Sequence, residues 1–138
     1  MRTVLDTNVL ISAMFLPGTA HRCLAAAEAG LYDLVLAEPI LDELRDKLIS
    51  KFHSTRQEAD VMIESLRRLG TLVQLAGQGG WVADDPDDDK FVETALVGRA
   101  DAIVSGNHHL REMGVVESVP VLSPREFLGR LRQESVEA

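Results

Sequence analysis

Arg2-Thr-Val-Leu-Asp-Thr-Asn-Val-Leu-Ile-Ser-Ala-Met-Phe15 is the stretch on which the fold turns. Arg2 to Leu5 is a short apolar, β-branched run that stops at Asp6, and Asn8 to Phe15 reads as a helix until Pro17-Gly18 breaks it. A strand that runs through one acidic residue into a helix is the opening of an α/β fold. The pattern then recurs. An Ala-rich helix runs from Thr19 or His21 to Ala29, and Asp33 to Leu36 reads as a second strand. Pro39 opens a helix to about Phe52 with Ile40, Leu41, Leu44 and Leu48 on one stripe, and Thr55 caps the next, ending near Gly70. Thr71 to Leu75 is strand-like, and the glycines between Ala76 and Gly80 make that stretch the one expected to be mobile. Asp85-Pro86 opens a helix to about Arg99. Ala102 to Val104 is a strand, Asn107 to Met113 a small helix, Val119 to Leu122 a strand, and Arg125 to Arg132 the closing helix.

Five short strands that do not alternate in polarity, separated by helices, predict a mostly parallel five-stranded sheet in a three-layer α/β/α sandwich. With 138 residues, 46% hydrophobic and 26% charged, the chain is expected to form a single domain over residues 1–138. Aromatics make up only 4%, so a row of base-stacking platforms is excluded as a binding mode. The single cysteine, Cys23, excludes an internal disulfide or a thiolate zinc cage and makes the reducing cytoplasm the expected compartment. No signal peptide or membrane span is read, and a soluble protein is expected.

The net charge of −8 argues at first against a polyanionic partner. Five of the acids, however, Asp84, Asp85, Asp87, Asp88 and Asp89, fall in one window, and the rest of the chain carries only −3. Divalent cations held there would reverse the local sign.

Functional groups of open parallel sheets gather beyond the carboxyl ends of the strands. Asp6 follows the first strand directly, and Asn107 follows Ile103-Val104 through Ser105-Gly106, so the two converge if those strands are neighbours. Asp6 reads equally well as a helix N-cap. Asp88 shares a helix face with Phe91, Val92 and Ala95 and so points inward, whereas Asp87 and Asp89 are rotated to either side and are expected in solvent. Asp85 before Pro86 reads as the cap of that helix. Glu43 lies on the flank of its helix and reads as well as an exposed charge paired with Lys47. Carboxylates without thiolates suit magnesium or manganese, and two such ions can activate water against a phosphodiester. His108 and His109 are adjacent and unsuited to sharing one metal. There is no phosphate loop, nucleophile elbow or dinucleotide fingerprint.

Taken in order, Val4-Leu-Asp-Thr-Asn-Val-Leu-Ile-Ser12, Ile40-Leu-Asp-Glu-Leu44, Asp85-Pro-Asp-Asp-Asp-Lys-Phe91, Ala100-Asp-Ala-Ile-Val-Ser-Gly106 and Pro124-Arg-Glu-Phe-Leu128 resemble the PIN-domain family, in particular the branch similar to VapC toxins of toxin–antitoxin pairs. The resemblance implies a magnesium- or manganese-dependent endoribonuclease with a cognate antitoxin and an RNA substrate. By position it implies Asp6 as first acid, supported by Asn8, and Glu43 as second. The third is Asp88, seven residues before Ala95. The fourth position, where the family usually has Asp after a Thr/Ser-Gly pair, is Asn107. Ser105, Lys90, His108, His109 and Arg111 are the expected substrate-side neighbours, and a homodimer through the helices between about Glu38 and Gly70 is expected. A PIN fold that has lost efficient cleavage through Asn107 and binds RNA or protein is the competing reading. A phosphoacceptor receiver fits poorly, since Gly77 stands where its acceptor Asp would follow the third strand. A haloacid-dehalogenase-type phosphatase would need Asp where Asn8 stands.

Overall fold

The computed structural model describes residues 1–137. Strand β1 (Arg2–Leu5) lies at the centre of the sheet because both its faces are apolar. Val4 and Leu5 are wholly buried, and even Thr3 is fully enclosed. On one side β1 pairs in parallel with β2 (Asp33–Leu36), which pairs in parallel with β3 (Thr71–Leu72). On the other it pairs with β4 (Ala102–Val104), matching Leu5 with Val104, and β4 pairs in parallel with β6 (Val119–Leu122). A sixth strand, β5 (Val115–Val116), adds to β6 antiparallel, giving the order β3-β2-β1-β4-β6-β5.

The parallel α/β sandwich is as expected, but the sheet has six strands and not five. The additional one escapes pattern reading because it is two residues long. It is closed by a two-residue hairpin, Glu117-Ser118, at φ 50° and 70°, without the Asn-Gly type of signal that such turns favour. β3 is correspondingly shorter than the strand-like run to Leu75. The Val73 amide still donates to the Leu36 carbonyl (2.8 Å), but beyond Leu75 the amides of Ala76 and Gly77 turn to the Glu93 carboxylate.

Between the strands run α1 (Thr7–Phe15), α2 (Thr19–Glu28), α3 (Glu38–Ser50), α4 (Arg56–Leu69), α5 (Asp89–Val97) and α6 (His108–Met113), and α7 (Pro124–Glu137) follows the last strand. Thr55 closes a reciprocal capping box with Glu58 at the start of α4. The helix expected from Asp85-Pro86 begins as a 3-10 turn, Pro86–Asp88, before α5 takes over. It ends at Val97, because Arg99 sits at φ 52°, outside helical space.

The chain steps from β1 outward through β2 to β3, then crosses to the other side of β1 at β4. Right-handed crossovers in opposite directions put α1 to α4 and α5 on opposite faces. The core they enclose is aliphatic, with an edge-on Tyr32–Phe127 pair (4.8 Å between centroids) as its main aromatic contact. No single helix among the described residues is long and apolar enough to cross a membrane.

Candidate active site

The strand order reverses between β1 and β4, and the carboxyl edge of the sheet at such a switch point is the usual ligand position. Asp6 stands on its β1 side. Its backbone amide continues the ladder to the Val104 carbonyl (3.0 Å), and its carboxylate caps α1 by accepting the Val9 amide (2.8 Å). The cap reading is therefore right, yet it uses only one carboxylate oxygen. The other accepts the hydroxyl of Ser105, which is fully buried and itself accepts the Asn107 amide at 2.9 Å.

Asn107 caps α6 with its side-chain carbonyl, which accepts the His109 amide (2.8 Å), and so turns its NH2 group toward Asp88, donating at 2.7 Å. A hydrogen-bonded chain thus joins Asp6, Ser105, Asn107 and Asp88 across residues up to about a hundred positions apart. Asp88 is 8% exposed and inward, beside Phe91, Val92 and Ala95, which are buried as the helical spacing predicts. Burial, and then the charges of Asp85 and Asp6, push its carboxyl up to about 6. Asp6 is raised as well, chiefly by burial, against the pull of its Ser105 and Val9 hydrogen bonds. Asp85 does cap the 3-10 turn, accepting the Asp87 amide (3.2 Å). Its charge also bears on Asp88.

Glu43 reaches the same region from α3. Its carboxylate accepts the Thr7 hydroxyl and meets Lys90 (3.4 Å) and Lys47 (3.9 Å). The pairing with Lys47 was legible at i+4; the contacts with Thr7 and Lys90, from two other elements, were not. Asn8 is exposed on the first turn of α1 and receives Lys47 at 3.4 Å. His108 is exposed against the ring of His109 (4.0 Å between centroids), and His109 lies 3.8 Å from Asp84. Arg111 is exposed and faces Glu126 of α7 at 3.9 Å.

Asp89 corrects the expectation of a solvated side chain. It is buried, and its carboxylate accepts the amides of Gly80 (3.0 Å), Trp81 (3.0 Å) and Val82 (2.8 Å). Glu93, one turn further and also buried, accepts those of Ala76 (2.8 Å) and Gly77 (3.2 Å). The glycine-rich segment expected to be mobile is tied to α5 at both ends. A Cβ on Gly79 would come within 2.8 Å of the Asp89 carboxylate, so the glycine permits the close approach. The signal that was available is the i, i+4 spacing of Asp89 and Glu93 on an otherwise enclosed helix, facing a segment whose amides need acceptors.

Carboxylates gathered at the switch point of a parallel sheet, on a small α/β scaffold, define the class of protein. The family model described as PIN domain matches residues 2–109, and the chain belongs to that family. It is similar in fold to a chain in the crystal structure of VapBC2 from Rickettsia felis bound to a DNA fragment from their promoter. The TM-score is 0.63 at 13% identity, over 89% of this chain and 98% of that one. No curated protein matches the chain.

Proposed function

We propose that the protein is a metal-dependent endoribonuclease, the toxin of a toxin–antitoxin pair, acting in the cytoplasm on RNA. The observation that carries this reading is the convergence of Asp6, Asp88 and Glu43 from three separate elements, with Asp88 pushed up to about 6 by burial and neighbouring charge. Like charges are held together there at a cost to stability, the signature of a site kept for chemistry. The donor set is all oxygen apart from two ammonium groups, which fits magnesium or manganese. Among the described residues no three acidic, His or Cys side chains close into a ready-made cage. Magnesium bound here would keep several waters and take one or two carboxylates.

Asp6, Glu43 and Asp88 would hold the ion. Bound there, it would supply a polarised water and charge neutralisation at a phosphodiester. Ser105 and the Val9 amide fix the Asp6 carboxylate, Asn107 orients Asp88, and Lys90, His108, His109 and Arg111 are the groups offered to the RNA backbone. The likeness to a VapBC2 chain supports an antitoxin partner for this chain. Incubating purified protein with single-stranded RNA in Mg2+ or Mn2+, against an EDTA control, tests the reading. Metal-dependent fragments are expected. RNA binding without cleavage would favour the second reading, a binding module, for which the uncharged Asn107 is the specific observation.

Asn107→Asp sharpens this. Its new carboxylate would face that of Asp88 at the 2.7 Å now spanned by a hydrogen bond. Without metal the variant is expected to lose on the order of 1–2 kcal/mol of stability at pH 8. Millimolar Mg2+ should restore it and lower the metal requirement for cleavage. Thermal unfolding with and without Mg2+ measures both, and a variant indifferent to Mg2+ would place the ion away from position 107.

The proposed dimer uses α3 and α4, where Val61 is 61% exposed and, in the turn that joins the two helices, Phe52 stacks on Phe15 of α1 at the surface (5.2 Å between centroids). Light scattering at micromolar concentration is expected to give twice the 15.1 kDa chain mass, and a monomer removes the dimer from the proposal.

A further inference from the structure

Glu43 is the one acid of the cluster already matched by cations. Lys90, on α5, stands 3.4 Å from one of its oxygens, and Lys47, one turn along α3, stands 3.9 Å from the other. Neither ammonium is spread into solvent. Lys90 also donates to the Asp87 carbonyl (2.6 Å) and is only 17% exposed, and Lys47 also reaches Asn8. Each is close enough to a second acid to act on it, since Lys47 favours the charged form of Asp6 and Lys90 that of Asp88. Three carboxylates are therefore interleaved with two ammonium groups, one lysine in each gap beside Glu43. The two lysines offset part of the negative charge of the three acids, and those acids do not close into a cage.

We propose that Lys47 and Lys90 are built-in counter-cations that compete with the divalent ion for Glu43, so that the free protein binds metal weakly and its lysines turn to the substrate phosphate once the ion has entered. This rests on the metal-dependent reading above. The physical reason is that an ammonium and a divalent ion at the same carboxylate repel each other, and the lysine stem, with its rotatable bonds, can move its charge a few ångströms to a phosphate oxygen. Loss of a lysine then helps the metal and harms the RNA. A residue serving only as a phosphate contact would harm the RNA and leave the metal unaffected.

The test is Mn2+ binding to the full chain without RNA, read from the free-ion electron paramagnetic resonance signal. Lys47→Gln and Lys90→Gln are each expected to tighten Mn2+ binding on the order of tenfold. The charge-keeping Lys47→Arg and Lys90→Arg should stay within about twofold of the wild type, since each retains its positive charge. With Ca2+ in place of Mn2+, the Gln variants should bind a short single-stranded RNA more weakly and with a shallower salt dependence. Gln variants that bind Mn2+ no more tightly than the wild type overturn the inference and leave the nuclease reading standing. Absence of Mn2+ binding in the wild type and in every variant overturns both.

Discussion

Asp88→Asn is expected to reduce RNA cleavage by at least about 100-fold, the upper range for losing a mere supporting partner of a metal ligand, while making the protein more stable at neutral pH. The two effects share one cause. Asp88 ionises near 3.8 in the unfolded chain and about 6 in the folded one. Between those values the folded state holds a proton that the unfolded state has released, so stability falls as pH rises from about 4 to about 6 and stays reduced above. Replacing the carboxylate by a neutral isostere removes that penalty, a gain of up to about 3 kcal/mol at pH 7.5 that vanishes near pH 4. The carbonyl oxygen of the substituted side chain can still accept from Asn107. Asp6→Asn should also lose cleavage, and it can keep the cap on α1 through its carbonyl oxygen, but the buried Ser105 hydroxyl loses its acceptor, which offsets the gain in stability. Mg2+ should stabilise the wild type, by about 1.4 kcal/mol at ten times its dissociation constant, and leave Asp88→Asn unmoved. Urea unfolding at the two pH values, beside RNA cleavage, checks all of this. Wild-type cleavage by Asp88→Asn would place the chemistry elsewhere.

The adjacent Asp89→Ala should act in the opposite sense. It removes the acceptor of three backbone amides, from Gly80, Trp81 and Val82. Even allowing water to reach some of them, the loss should be about 3 kcal/mol, since each stranded donor costs on the order of 1–3 kcal/mol. For a chain of this size that is a fall in Tm of roughly 10 °C. The released segment should also become the first site of proteolysis, between Ala76 and Gly80. Burial opposes ionisation of Asp89, but its three amide hydrogen bonds outweigh it and hold the carboxyl below the usual range. Its contribution is therefore present above pH 4 and lost as pH falls further. Limited proteolysis and thermal unfolding of Asp89→Ala measure the effect, and an unchanged Tm would mean that the tether contributes nothing. Asp88 and Asp89 are neighbours of the same type, both buried, and their removal moves stability in opposite directions.

Much of this was fixed by local order in the chain. The alternation of short apolar strands with helices determined a parallel α/β sheet, the end of the first strand determined where Asp6 would stand, and the 100° step of a helix determined that Asp88 faces inward with Phe91, Val92 and Ala95. The family motifs marked Glu43, which its place on the helix could not distinguish from any exposed charge. Only the tertiary structure decided what the acids touch. Periodicity reports which way a side chain points but not which amides another segment brings to meet it, and the amides of residues 80–82 are what make Asp89 structural. In the same way Lys90 and Thr7 reach Glu43 from α5 and α1, because the helices on the two faces of the sheet meet over its carboxyl edge. Hydrogen-bond partnership, and the burial and repulsion that raise Asp88, depend on distances of a few ångströms between residues far apart in the chain, and those distances exist only once β1 and β4 lie side by side.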